Sequence, residues 1–345
     1  LFAPIFGALA DKIGGNKVTI ISFLFMALGI YLLYSGPNTG VFFQVNLGLL
    51  IGIGLGGTAL SVQISETGKH FSNENRGLAV GIVVASASIG YFFSPLYTKF
   101  ALTNFGWEKT LQTFLYFIFF AMIAAIFILP TKKEKYKNKD SNDTQTIPNA
   151  LKEALSHKGY LYLLFGFFVC GFNITLVSSH IPGYIQERGF EIWTAVAILS
   201  LIGLFNIFGS LLSGYLSVKM SKKIILSGIY FLRGISIILF IFTPASNLSA
   251  FLFGASFGFL WLSTVPATSG IVAHLFGTKY LGMLYGIVFL SHQIGSFFGA
   301  YLGGLFHDLY GSYDYAWYLA IALSVFAAII HLPIKEEPVL RLKTE

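Results

Sequence analysis

Arg233 stands ten residues into an apolar stretch, 224–242, made almost wholly of Ile, Leu, Phe, Gly and Ser. A guanidinium keeps its proton in a protein, and placing one in hydrocarbon costs at least about 3 kcal/mol. No Asp or Glu occupies the interior of any apolar stretch of this chain. Arg233 must therefore find backbone carbonyls or polar groups on neighbouring spans, sequence beyond this chain, or an anionic cargo whose two oxygens match the guanidinium fork. His292 and Gln293 sit in the middle of another apolar stretch, 280–304. Imidazole changes charge near neutral pH, so His292 could take up and release a proton. Asn173, Asn206, Trp261, Thr264, Ser86 and Ser88 fall at a similar depth in their own stretches. Polar groups at that depth pair with one another or face a watery passage. The plainer role for any single Ser, Asn or Thr is an interhelical hydrogen bond, worth about 0.6 kcal/mol.

Other chemistries are missing from the sequence. There is no P-loop, no His-Glu-x-x-His and no Gly-x-Ser-x-Gly. The single cysteine, Cys170, lies inside an apolar stretch and cannot form a disulfide or a cysteine metal site within the chain. The expectation is a protein that is not an enzyme, with no catalytic residue, cofactor or metal, and with no ATP-driven step of its own.

The elements that must hold these residues are membrane-spanning helices. The chain is 55% hydrophobic and 11% charged, against about 25% charged in a soluble domain. Apolar stretches cover 18–35, 40–63, 77–99, 110–130, 159–181, 194–217, 223–243, 249–273, 280–304 and 314–333, with a partial one at 1–9. They are about twice the length of a barrel strand and lack its alternation, so they predict helices. If 10–17 is cytoplasmic, alternate connections and the tail collect 18 of the 22 basic residues. That asymmetry predicts a cytoplasmic C-terminus in a plasma membrane. The surplus of basic residues needs no nucleic-acid partner; lipid is the partner expected from composition, with the monomer as the working unit.

The one long polar stretch, 131–158, carries seven lysines and reads as a cytoplasmic linker. Within it, 148–157 places Leu151, Ala154 and Leu155 on one helical face that could lie on the membrane surface. It divides the chain into a membrane half at 1–130, a second at 159–334 and a tail at 335–345. The halves repeat. Gly81-Ile-Val-Val-Ala-Ser-Ala-Ser-Ile-Gly-Tyr-Phe-Phe matches Gly286-Ile-Val-Phe-Leu-Ser-His-Gln-Ile-Gly-Ser-Phe-Phe at eight of thirteen positions. At nearly the same offset Gly7-Ala-Leu-Ala-Asp-Lys-Ile-Gly aligns with Gly214-Tyr-Leu-Ser-Val-Lys-Met-Ser. Duplicated membrane halves joined by a basic linker form the plan of a parallel-repeat transporter. On a plan of six helices per half, the first half lacks its first helix and most of its second. The chain opens at Leu1 on what reads as the end of a span, so the N-terminus is expected to have been lost.

Gly7, Asp11, Gly14 and Lys17 form a short connection that resembles the signature loop of the major facilitator superfamily, Gly-x-Leu-Ala-Asp-basic-x-Gly. The resemblance implies that Asp11 accepts bonds from a neighbouring helix N-terminus and from Arg76, latching the cytoplasmic side. One departure is that Gly15-Asn16 stands where a basic pair is expected. Arg76-Gly-Leu-Ala-Val-Gly-Ile, Gly90, Pro95-Leu and Gly106-Trp107, then Gly166 through Asn173 and His180-Ile-Pro-Gly-Tyr, are similar to bacterial members of the monocarboxylate-transporter-like branch. That likeness implies an all-α major facilitator fold of two pseudo-symmetric halves and a proton-linked carrier of small organic anions. Where better-known carriers of that branch hold an Asp–Arg pair in helix 8, this chain has Asn206, Ser210 and Ser213.

These readings combine into a symporter that moves a small monocarboxylate by alternating access. Asn173, Asn206, Trp261, His292, Gln293 and Arg233 are the candidate cargo residues, and Gly7, Asp11, Gly14 and Arg76 form the gating latch. A drug or metabolite exporter on the same fold, or a membrane sensor that no longer transports, are the alternatives. Glu66, followed by Lys69-His70, reads as a solvated loop acid. Pro95 and Pro266 are expected to kink their helices, and Gly48, Gly52, Gly54, Gly56 and Gly57 to thin one helix face.

Overall fold

Apolar runs of this length can satisfy their backbone in a bilayer only by coiling into helices. The computed structural model describes residues 2–37, 39–127 and 145–343, and among them every regular element is helical. In order these are α1 (Ala3–Ile13), α2 (Gly15–Ser35), α3 (Gly40–Val45), α4 (Gly52–Gly57), α5 (Leu60–His70), α6 (Asn73–Phe127), α7 (Ile147–Ser156) and α8 (Lys158–Glu187). They continue as α9 (Ile192–Lys219), α10 (Lys222–Phe242), α11 (Asn247–Phe259), α12 (Thr264–Phe276), α13 (Leu281–Tyr310), α14 (Asp314–His331) and α15 (Leu340–Lys343). A π-helical turn, Asn46–Ile51, joins α3 to α4.

Among the described residues nine helical stretches are long and apolar enough to cross a membrane. One of them, Asn73–Ile126, has 54 residues and would be about 80 Å long if straight, far beyond a hydrocarbon core of about 30 Å. Gly106 interrupts it with φ 76° and ψ 174°, a conformation that glycine reaches without a Cβ clash. The interruption separates the two stretches expected at 77–99 and 110–130. The polar stretch from 131 to 144 lies outside the described residues. Its continuation forms α7, with Ala150 and Ala154 buried and Leu155 exposed. The covered face of α7 is therefore a pair of alanines four residues apart rather than the leucine side.

The chain forms two compact units that interleave its sequence halves. One comprises Leu1–His70, Thr98–Lys152 and Phe276–Leu290; the other comprises Phe71–Tyr97, Glu153–Leu275 and Ser291–Glu345. Each unit is held by a seam where glycines bring two backbones together. In the first, a Cβ on Gly7 of α1 would collide with the Gly282 carbonyl of α13. In the second, a Cβ on Gly214 of α9 would collide with the Gly77 carbonyl of α6. Gly7 and Gly214 are the matched glycines of one repeat, and Gly77 and Gly282 stand at the offset of the other. The duplicated sequence thus builds the same backbone contact twice.

The first unit also packs Phe6, Ala10, Val18 and Val62 into one buried cluster, and Ala27, Ile30 and Ile118 into another. In the second unit the largest buried side chains include Trp261, Trp317, Arg233, Tyr230 and Phe257. There α8 and α13 run close, because Gly295 and Gly299 face the carbonyls of Phe168 and Phe172, while Gly171 faces that of His292. Small residues of this kind let spans approach in lipid, where no hydrophobic force drives them together.

The segment after α14 is tied down. The Glu336 carboxylate accepts the Ser221 hydroxyl at 2.7 Å and the Lys223 N–H at 2.8 Å, capping the start of α10. Val339 N–H donates to Leu275 O at the end of α12, and Arg341 lies 3.5 Å from Glu153 of α7.

Candidate functional site

The centre of the second unit is a four-residue gap, 260–263, between α11 and α12. Its cause is local. Pro266 has no N–H to give to Leu262 O, and Val265 N–H turns to that carbonyl instead, at 3.0 Å. A continuous helix would have used Val265 N–H for Trp261 O. The gap therefore releases backbone groups that cannot be left bare in lipid.

Side chains from two other helices take them up. Arg233 of α10 donates Nη2 to Leu260 O at 2.6 Å and to Trp261 O at 2.8 Å. Asn206 of α9 accepts Leu262 N–H at 2.9 Å through Oδ1 and donates Nδ2 to Ser88 of α6 at 2.7 Å. Ser213 of α9 donates to Ser263 O.

Arg233 is wholly buried, with its Cζ 5.1 Å from the Tyr230 ring centre and 5.7 Å from that of Phe257. Among the described residues no acidic side chain pairs with it, and its Nε and Nη1 have no hydrogen-bond partner. Its position explains how the charge is tolerated. The carbonyls that it meets cluster at the C-terminal end of α11, where the helix dipole is negative and a cation gains about 0.3–2 kcal/mol. Among the neighbouring spans it is the broken one, α11–α12, that supplies these carbonyls, because the break leaves carbonyls outside regular helical bonding.

A second polar group adjoins the start of α12. Cys170 Sγ of α8 lies 3.4 Å from Thr264 Oγ1, the first residue of α12. His292 is 5% exposed; its Nδ1 lies 3.1 Å from Gln293 Oε1 and its ring 5.1 Å from that of Phe167. Gln293 itself is exposed. Asn173, one turn beyond Cys170, donates Nδ2 to Ser324 of α14 at 2.7 Å, while its Oδ1 has no partner among the described residues. Trp261 sits in the gap with its ring 5.6 Å from Tyr91 and 5.6 Å from Phe257.

Asn206, Trp261 and Arg233 thus converge on one break. His292 bonds to Gln293 and Ser296 of its own helix and lies beside the Phe167 ring, and Asn173 is turned toward α14. Sequence reasoning alone misses Cys170 and Ser324 as bonding partners. Their only signal is the i, i+3 spacing of Cys170 from Asn173 and a lone serine in an apolar stretch.

In the first unit Asp11 follows the expected pattern at a helix N-terminus. Oδ1 accepts Gly282 N–H at 3.1 Å and the Ser65 hydroxyl at 2.5 Å, and Oδ2 accepts Met283 N–H at 2.9 Å. Gly14, with φ 93°, ends α1 and starts α2. Glu66 is a cap rather than a free loop acid, because its Oε1 accepts Gly15 N–H at 2.8 Å. A Cβ on Gly15 would strike the Glu66 side chain, which explains why a glycine replaces a basic residue there. In the second unit Arg76 donates to Asn73 Oδ1 at 2.8 Å and to Phe71 O at 3.3 Å.

The family description "Major Facilitator Superfamily" matches residues 1–265. An uncharacterized MFS-type transporter of Bacillus subtilis, YcxA, is 26% identical, over 94% of this chain and 80% of that protein. Monocarboxylate transporter 13 of Rattus norvegicus is 24% identical, over 96% of this chain and 76% of that protein. Among solved structures, the E. coli fucose:proton symporter FucP superposes with a TM-score of 0.71 at 15% identity, over 96% of this chain and 87% of that one. The human organic anion transporter MFSD10 does so with a TM-score of 0.72 at 17% identity, over 96% and 80%.

Proposed function

This chain belongs to the major facilitator superfamily, an integral membrane transporter and not an enzyme, and we propose that its cargo is a small organic anion, a monocarboxylate, moved together with a proton by alternating access. The observation that carries this reading is the sign of the charge in the second unit's centre. Arg233 is buried there with no acidic partner among the described residues. A fixed positive charge in a low-dielectric interior draws anions and repels cations even without touching them. His292 supplies a titratable group in the same helix layer, with Gln293 on the exposed side of α13 to meet the cargo. Asn173, Asn206 and Trp261 are the further cargo residues of this reading, and Asp11, Gly7 and Gly14 are the latch residues of the first unit, on the side rich in Lys and Arg. That side is cytoplasmic by the charge asymmetry.

Uptake of labelled lactate and pyruvate into proteoliposomes, with and without an inward proton gradient, tests the reading. Gradient-driven uptake is expected, and His292→Ala should flatten its pH dependence. Transport of lipophilic cations in place of carboxylates would overturn it in favour of an exporter. That second reading has its own support in the aromatic group of Tyr91, Phe257 and Trp261. No flux of either class would favour a membrane sensor.

A further inference from the structure

We propose that Arg233 is a positioning residue, the pin of a joint between α11 and α12, and that it acts on transport through the carbonyls of Leu260 and Trp261 rather than by holding cargo. The proposal rests on the reading of the protein as an alternating-access carrier, and it assigns to one buried cation the control of the moving part.

The geometry separates a pin from an anchor. Arg233 is 0% exposed, and the bonds it makes are to two main-chain oxygens, 2.6 and 2.8 Å away. Both oxygens lie at the break between α11 and α12, where the regular helical bonding of this span is interrupted. The other groups released by the gap are held by α9, through Asn206 and Ser213. Two helices therefore grip the joint from different sides, α9 by neutral groups and α10 by a charge. A guanidinium suits this place because it faces the negative end of α11 while the start of α12 repels it. That preference fixes which side of the joint it holds.

The unmet donors point the same way. Among the described residues Nε and Nη1 are buried without acceptors, an unfavourable arrangement in a dry interior. These donors can take further carbonyls when α12 swings about the gap, so the same side chain has the means to hold the joint in more than one position. Trp261 moves with the joint, and with it the contact to Tyr91.

Two measurements on the full chain in lipid nanodiscs or proteoliposomes decide the matter. In hydrogen–deuterium exchange without any substrate, Arg233→Leu should speed amide exchange by about tenfold or more in peptides covering 259–266 and leave the rest of the second unit near wild type. Arg233→Lys, which can still donate to the carbonyls, should restore most of the protection. Unchanged exchange at 259–266, an increase spread evenly over the unit, or failure of both variants to fold would overturn the proposal. In carboxylate flux per folded protein, Arg233→Lys should lower the maximal rate severalfold while KM stays within about twofold. A raised KM with the maximal rate intact would make Arg233 a cargo ligand and overturn the pin. If wild-type protein moves no carboxylate, the cargo reading fails while the exchange experiment still decides the role of Arg233.

Discussion

Gly7 rests against the carbonyl of Gly282, and Gly214 rests in the same way against the carbonyl of Gly77. Neither contact leaves room for a methyl group. Gly7→Val and Gly214→Val should each destabilise the protein by about 1–3 kcal/mol, the usual cost of overpacking a tight interior. Lipid offers no compensating hydrophobic gain. Thermal unfolding in detergent, scored with the yield of folded protein, checks this; a Gly7→Val protein that melts with the wild type would mean that the seam has room to spare.

The two seams also mark how far the sequence is legible by itself. The repeat is plain there because Gly, Ile, Val, Ser and Phe recur at fixed offset, and the ten spans follow from length and hydropathy alone. The break at 260–263 is half legible. Pro266 predicts a kink, but a proline removes a single N–H, and how far the chain opens depends on which groups can receive the freed ones. Asn206, Ser213 and Arg233 stand 56, 50 and 27 positions along the chain from Leu262, Ser263 and Leu260, the residues they meet. Periodicity says nothing of such pairings. For the same reason Glu66 reads as a solvated acid in the sequence: its partner is a backbone N–H at Gly15, and a backbone donor leaves no mark there.

Asn206 bridges two helices with one amide, accepting from Leu262 N–H and donating to Ser88. Asn206→Ala would strand a buried N–H at the gap and is expected to cost about 1–3 kcal/mol. Ser88→Ala removes an ordinary interhelical bond and should cost about 0.6 kcal/mol. A double-mutant cycle on unfolding in detergent separates the two. Equal losses for both single variants would show that the backbone donor at Leu262 finds another acceptor.

Asp11 holds the start of α13 by two main-chain bonds and takes a third from Ser65. Asp11→Ala should cost about 1–2 kcal/mol, as the loss of a good helix cap does. Asp11→Asn should cost less, since an amide oxygen still accepts while the charge that favours a helix N-terminus is gone. The order expected in thermal melts is wild type, then Asn, then Ala. As a latch residue, Asp11 should also show slower uptake in the Ala variant at matched folded protein; uptake at the wild-type rate would confine it to stability.

Glu336 ties the segment after α14 to the start of α10 and lies outside the spans. Burial alone would raise its carboxyl pKa, but the N–H of Lys223, the Ser221 hydroxyl and the Lys222 group hold it below the ordinary value of 4.5. A carboxyl with a lowered folded pKa binds its proton more tightly when unfolded, so it stabilises the fold above pH 4.5. That contribution fades as the pH falls through 4.5 toward the folded value. Glu336→Gln should therefore melt below the wild type at pH 7, with the gap closing as the buffer is taken down from pH 4.5 and past the lower folded value, where both proteins carry a neutral side chain. Melting curves at a series of pH values read this directly. A gap that stayed constant with pH would mean that the bonds to Ser221 and Lys223 count for their shape and not for the charge of the carboxylate.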